Sequence, residues 1–249
     1  MEFDVLPGPS LPELARTALA RTVTATVSAA IGPGGLAGAA GPGPAVPGPV
    51  PVRSTRDGSP LLLPAAGSPL AHWLAASPDP VRVSLPAGPP FSALRLTGTA
   101  RPVAASDEAG ITACVLAIGS IEFTGGGRAR VPVEEYRAAR PDPLWRVAPG
   151  VLRHLEHAHM GDLVHCVRAH GMTRADWVIP RELDRYGLEL LVLATDGVAA
   201  VRLSFPSGPV TSINDVPVSL RAALTCRCQA GPGHRQPRGD GDGARDGGE

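Results

Sequence analysis

The chain has 249 residues, 43% of them hydrophobic, and its 23 basic and 23 acidic side chains cancel; that supplies enough apolar material for one large or two modest packed domains. Every basic residue is arginine, because the sequence contains no lysine, and this excludes Schiff-base lysine chemistry and the phosphate-loop lysine of nucleotide hydrolases. No arginine stripe gives the footprint of a general nucleic-acid binder, so nucleic acid is not an expected partner.

The first seven residues, Met1 to Pro7, have neither a basic start nor a continuous apolar run, which argues against a secretory signal. The longest apolar run, Ile111 to Ile118, is too short to span a bilayer. No membrane partner is expected, and the cytoplasm is the expected location. Leu11 to Ala20 places apolar groups at helical spacing behind a proline, Pro12, and predicts a short helix. From Thr22 to Ala30 the period changes to two, as in a half-buried strand. Between Gly32 and Val50, 12 of 19 residues are Gly or Pro, a composition that predicts a mobile loop within a domain.

Val50 to Thr55 and Leu61 to Pro64 flank Asp57-Gly58 and predict a hairpin. Ser68-Pro69 opens a helix that Ser77-Pro78 closes. Val81 to Leu85, Ala93 to Val103 and Thr112 to Phe123 follow as strands, and six strands with one short helix describe a small antiparallel barrel. Val131 to Pro143 reads as a hydrophilic connector containing a helical turn. Gly150 to His170 is the longest helical pattern, closed by Gly171. A three-stranded meander is expected over Val178 to Asp184, Leu188 to Ala194 and Ala199 to Phe205, then a helix over Val218 to Thr225. The expected division is a barrel domain over 1–147 with its loop at 32–50, a small α+β domain over 148–228, and a disordered tail over 229–249.

Five of the seven histidines, at 154, 157, 159, 165 and 170, fall on the one predicted helix. On a straight helix His154 and His165 point the same way but stand about 16 Å apart, too far to share an ion. His154 and His157 are near enough, yet H-L-E-H lacks the H-E-x-x-H spacing of a zinc protease. The four cysteines read as free thiols in a reducing compartment; Cys226 and Cys228 alone have a spacing suited to metal or oxidation, with no other soft-ligand cluster beside them. No metal site is expected. Hydrogen bonding, a solvent-facing position or cofactor contact all remain open for the histidines.

The segment Val151 to Leu163, V-L-R-H-L-E-H-A-H-M-G-D-L, together with D-R-Y-G at Asp184 to Gly187 and the order helix, three strands, helix, resembles the C-terminal domain of HugZ-type heme-utilisation proteins. That family has an α+β fold, an antiparallel flavin-binding type of split β-barrel followed by a small α+β domain, and it is related to plant proteins that bind glutamyl-tRNA reductase. Against its H-M-N-x-D-H pattern, His154 and His159 match the two histidines, while Glu156 replaces Asn and Ala158 replaces Asp. The resemblance implies cofactor contact at His154 and His159. It also implies that a flavin phosphate would meet the predicted hairpin and helix start, at Arg53, Ser54, Thr55 and Ser68. Some members use a histidine in the tail as heme ligand, a role not carried over to His234.

The function this implies is binding of heme or a related planar cofactor, with heme utilisation or degradation as the enzymatic extreme. Two other classes stand beside it: a noncatalytic interaction or regulatory module with a protein partner, and an FMN-dependent oxidoreductase. Heme and FMN are therefore the cofactors in question, catalytic residues are unassigned, and a homodimer is expected because split barrels usually bury a sheet face between subunits.

Overall fold

The computed structural model describes residues 8–30, 48–103 and 110–225. Most of the predicted Gly/Pro-rich loop, the whole predicted tail, Cys226, Cys228 and His234 lie outside the described residues.

Ser10 starts α1 (Leu11–Arg21) with a capping box: its Oγ accepts the Glu13 N–H, and the Glu13 carboxylate accepts the Ser10 N–H. Two of the helix's open donors are thereby satisfied within four residues. Strands β1 (Thr24–Ala29), β2 (Pro49–Ser54), β3 (Pro60–Leu62), β4 (Val81–Pro86), β5 (Ala93–Val103) and β6 (Ala113–Thr124) follow, with α2 (Pro69–Ala76) between β3 and β4. They pair in the order β3-β2-β1-β4-β5-β6, every pair antiparallel, and a further β3–β6 pairing closes the barrel. Closure leaves these six strands without an exposed edge.

The period-two pattern becomes burial directly. Val27, Val52, Leu62, Val83, Leu96, Leu116 and Phe123 point inward and are at most 2% exposed, each such side chain contributing about 1.5–3 kcal/mol by leaving water. The β5–β6 register slips between Thr97 and Gly98. Gly98 is required there, since a Cβ would stand 2.0 Å from the Ala117 carbonyl oxygen.

Two features depart from the sequence expectation in this domain. A seventh strand, β7 (Arg128–Val131), extends from β6 after the Gly125–Gly127 turn; the sequence pattern assigns no element to residues 128–130 and starts the connector at Val131. The connector itself is not simply hydrophilic: its helical turn, α3 (Val133–Ala138), carries Tyr136 fully into the barrel core.

A second core gathers Leu144, Leu155, Leu163, Val178, Leu188, Leu190, Val192 and Leu203. Here β8 (Ala175–Asp184), β9 (Gly187–Ala194) and β10 (Gly197–Ser204) form an antiparallel meander in the order β10-β9-β8. The predicted single helix over 150–170 is two helices, α4 (Ala148–Ala158) and α5 (Met160–Ala169), broken at His159, whose φ of −128° and ψ of 19° leave the helical range. A single 3-10 turn, Ile213–Asp215, leads into α6 (Val216–Thr225). The fold is α+β, a split barrel followed by a small α+β domain. Among the described residues no helix is long and apolar enough to cross a membrane.

The seam between the cores is polar. Asp142, 3% exposed, donates its N–H to Thr17 Oγ1 of α1, while its carboxylate accepts the N–H groups of Leu144 and Arg185, both at 2.7 Å. Burial pushes this carboxyl above its ordinary range, against the pull of those two N–H donors. Tyr186 donates its hydroxyl to Glu13, and Arg21 bonds Glu182. The D-R-Y-G residues form the β8–β9 turn: Asp184 accepts the N–H groups of Tyr186 and Gly187 and two bonds from Arg202.

Candidate functional site

The break at His159 decides where the histidines go. His157 and His170 direct Nδ1 to backbone carbonyls of their own helices, at Arg153 and Cys166. His154, His159 and His165 instead line one groove between the α4–α5 elbow and the wall made by Ile213 and α6. The bend brings His154 and His159 edge to face, with ring centroids 5.1 Å apart.

The groove encloses about 860 Å³, and its walls are mostly aliphatic: Val151 and Leu155 on one side, Ile213, Val216, Leu220 and Leu224 on the other. His159 Nδ1 lies 3.0 Å from the Asp162 carboxylate. Because a carboxylate only accepts, Nδ1 carries the proton, and in the neutral ring Nε2 is then the nitrogen with a lone pair to give. This is the arrangement by which proteins orient an imidazole toward a metal centre. Asp162 was not visible from the motif, where Ala158 replaces the usual Asp. It becomes a partner only because the second helix starts at Met160, which places it in the first turn beside the break. Its negative charge is also favourable at that helix N-terminus. An apolar, concave wall with an oriented imidazole fits an iron tetrapyrrole; among the described residues, no three His, Cys, Asp or Glu side chains are placed to hold a bare metal ion.

The predicted anion residues divide differently. Arg53, Ser54 and Thr55 line a second pocket, of about 770 Å³, at the end of β2. Thr55 Oγ1 donates into the Asp57 turn, and Ser54 Oγ donates to the Thr55 carbonyl. Their hydroxyl protons are thus directed into the local chain. Ser68 is not part of this pocket: it caps α2, accepting the Ala71 N–H. The six predicted cofactor residues therefore occupy three places, with His154 and His159 together, Arg53 to Thr55 together, and Ser68 alone.

Sequence reasoning missed what completes the second pocket. Arg16, Arg56, Arg137, Arg140 and Arg146 join Arg53 in its lining, with no acidic residue among the lining groups. Arg16 is 6% exposed, with Nε and Nη1 buried and without a hydrogen-bond partner. Its guanidinium lies 5.2 Å from the centre of the Tyr136 ring, and the Tyr136 hydroxyl donates to the Gly58 carbonyl. Burial pushes the Tyr136 hydroxyl up to about 12, although Arg16 pulls it down. Gly58 has two reasons to be glycine: its φ is +88°, and a Cβ would stand 1.0 Å from Arg16 Nη1. The two cysteines among the described residues, Cys114 and Cys166, are buried and free of disulfides, and burial pushes the Cys114 thiol up, away from the reactive thiolate.

No family model matches the chain, and no curated protein matches it. Among solved structures, a heme binding protein from Mycobacterium smegmatis superposes with a TM-score of 0.60 at 22% identity, covering 90% of this chain and 99% of that one. A protein of unknown function from Agrobacterium tumefaciens is similar at 16% identity with a TM-score of 0.39, covering 88% of this chain and 98% of that one. The likeness to the mycobacterial structure extends over both domains and concerns the fold.

Proposed function

We propose that the protein binds heme, or a related iron tetrapyrrole, in the histidine groove, as a HugZ-type split-barrel protein. The observation that carries this reading is the His159–Asp162 pair set in an aliphatic cleft: the walls suit the face of a porphyrin, and the oriented Nε2 suits its iron. His154, in ring contact with His159, is the second imidazole of the site. The fold shared with a heme binding protein supports the same reading.

Bound heme would supply the iron's ligand-binding and redox chemistry. The chain's part is to exclude water through Val151, Leu155, Leu220 and Leu224, to hold the His159 proton on Nδ1, and to keep that ring fixed. Glu156 and Ala158, which stand where the family pattern has Asn and Asp, lean toward the noncatalytic interaction module as the second reading. The flavin reading has less support, because the hydroxyls of Ser54 and Thr55 are engaged in their own turn and Ser68 is engaged as a helix cap.

Titration of the full chain with hemin is expected to give a saturating Soret band. His154→Ala together with His159→Ala should abolish or shift that band while leaving the thermal melt nearly unchanged. Asp162→Asn should weaken hemin by about 10–100-fold, the range seen when a ligand's orienting partner is removed. An unaltered titration in the double histidine variant would remove the groove from the function.

A further inference from the structure

We propose that the arginine pocket at the end of β2 is a second, separate ligand site that takes a small molecule bearing a phosphate or pyrophosphate group. No residue lines both this pocket and the histidine groove, so the inference stands apart from the heme reading.

The sequence is electrically neutral, yet six of its 23 basic residues line one concavity that, among the described residues, no acidic group lines. They converge from different parts of the chain: Arg16 from α1, Arg53 and Arg56 from β2 and its turn, Arg137 from α3, and Arg140 and Arg146 from the connector beyond it. Arg137 alone among the six is in a salt bridge within the described residues, with Glu134 at 2.8 Å. Like charges gathered in a hollow repel one another, and a multiply charged anion relieves that repulsion.

Arg16 makes the floor of the site. A guanidinium that is 6% exposed, with two of its nitrogens lacking hydrogen-bond partners, carries a desolvation cost that its contact with Tyr136 offsets only in part. It is nevertheless held in place, between the Tyr136 ring and a residue whose lack of a side chain makes room for it. The other five arginines are exposed around the rim, so their substitution should leave the barrel core intact.

The arrangement favours phosphate over carboxylate. A carboxylate has two oxygens in one plane and matches one or two guanidinium forks, whereas a phosphoryl group presents three oxygens in different directions and can be shared among several. In a chain without lysine, arginine is the residue available for that task. The volume, about 770 Å³, exceeds what a lone phosphate fills and lies within the range of about 300–1,000 Å³ typical of small-molecule sites. Trp145 on the same wall, with the Arg146 guanidinium 5.0 Å from its ring centre, adds apolar surface for the organic part of the ligand.

The test is calorimetric titration of the full chain with sodium pyrophosphate at low salt, with sulfate and citrate at matched ionic strength as controls. Saturable pyrophosphate binding is expected, weakening as salt rises. Arg53→Ala and Arg140→Ala should each weaken it by about tenfold or more, with the melt and the hemin titration unchanged. Arg16→Met should remove most of the binding; if that variant does not fold, the two rim variants decide. Failure of pyrophosphate to bind the wild type, binding that survives both rim substitutions together, or equal affinity for citrate or sulfate would each overturn the assignment. Loss of hemin binding in the rim variants would overturn the claim that the two sites are separate.

Discussion

The two pockets differ little in size and almost completely in chemistry. One is cut into the barrel domain and lined by cations drawn from three stretches of chain. The other lies on the small domain and is lined by aliphatic side chains around a cluster of imidazoles. The cationic pocket depends on tertiary closure, since its groups come together only when α1, β2 and the connector are all in place. The histidine groove is more local: one bend in an otherwise helical segment gathers its imidazoles, and only the α6 wall comes from afar. A binding surface made by a local bend should tolerate damage outside its own domain, and one made by long-range closure should weaken when any of the segments it joins is loosened.

The largest expected effect breaks the small domain. Asp184, 4% exposed, holds Arg202 by two bonds and also ties down the β8–β9 turn. Removing the carboxylate leaves a guanidinium with little solvent to compensate it, so Asp184→Ala should cost about 3–5 kcal/mol in a denaturant titration. Hemin binding is expected to fall with it, while pyrophosphate binding persists. A wild-type denaturation midpoint would contradict the reading of this pair as a structural support.

Asp142→Asn probes the opposite side. An amide can accept from Leu144 or from Arg185, but its NH₂ must then face the other N–H. A loss of about 1–3 kcal/mol is expected. Because Asp142 pins the connector that carries Arg140 and Arg146, pyrophosphate affinity should drop while hemin affinity stays, which calorimetry on one preparation can separate.

One pH effect should appear in the hairpin turn beside the cationic pocket. The hydroxyls of Thr55 and Ser59 hold the Asp57 carboxyl below its usual 3.8. A lowered folded value means that its stabilising contribution is present above 3.8 and is lost as pH falls through the folded value. Acid titration followed by NMR of the Thr55 and Ser59 amides should show the turn responding in that window, and Asp57→Asn should abolish the response. The smallest effect is at the rim: Glu134→Gln removes a surface pair worth roughly 0.3–0.5 kcal/mol, and should slightly strengthen pyrophosphate by releasing Arg137. Weaker binding in that variant would argue against Arg137 as a ligand-facing group.

The barrel was legible in the sequence because its strands alternate cleanly: Val81, Val83 and Leu85 are buried as their spacing implies, and Asp57-Gly58 turns where a hairpin requires it. The four-residue β7 was not, because R-A-R-V is too short and too charged to separate from a connector by periodicity. The same limit applied at His159. The run through Val151 to His170 contains no proline, and its only weak point, Gly161, lies two residues beyond the actual break. With the helix taken as straight, His154 and His159 could be matched to a family pattern, but their ring contact and the role of Asp162 could not be derived. The arginine pocket was legible only in part. Arg53 drew attention by its place beside a turn, whereas Arg16, Arg140 and Arg146 lie far from it in sequence and become neighbours through barrel closure, information that local spacing does not contain.

Helix α1 is made early in synthesis, and several of its polar partners are made late. Thr17, Arg21 and Glu13 wait for Asp142, Glu182 and Tyr186, which lie 125, 161 and 173 positions downstream. At about 5–20 residues added per second, the interval is roughly 6 to 35 s. Over that time the capping box gives the helix a local anchor, while the groups that will join the domains remain hydrated. The clasp thus closes late, and a nascent chain halted before Asp142 would carry a helix whose joining face has none of these three counterparts to meet.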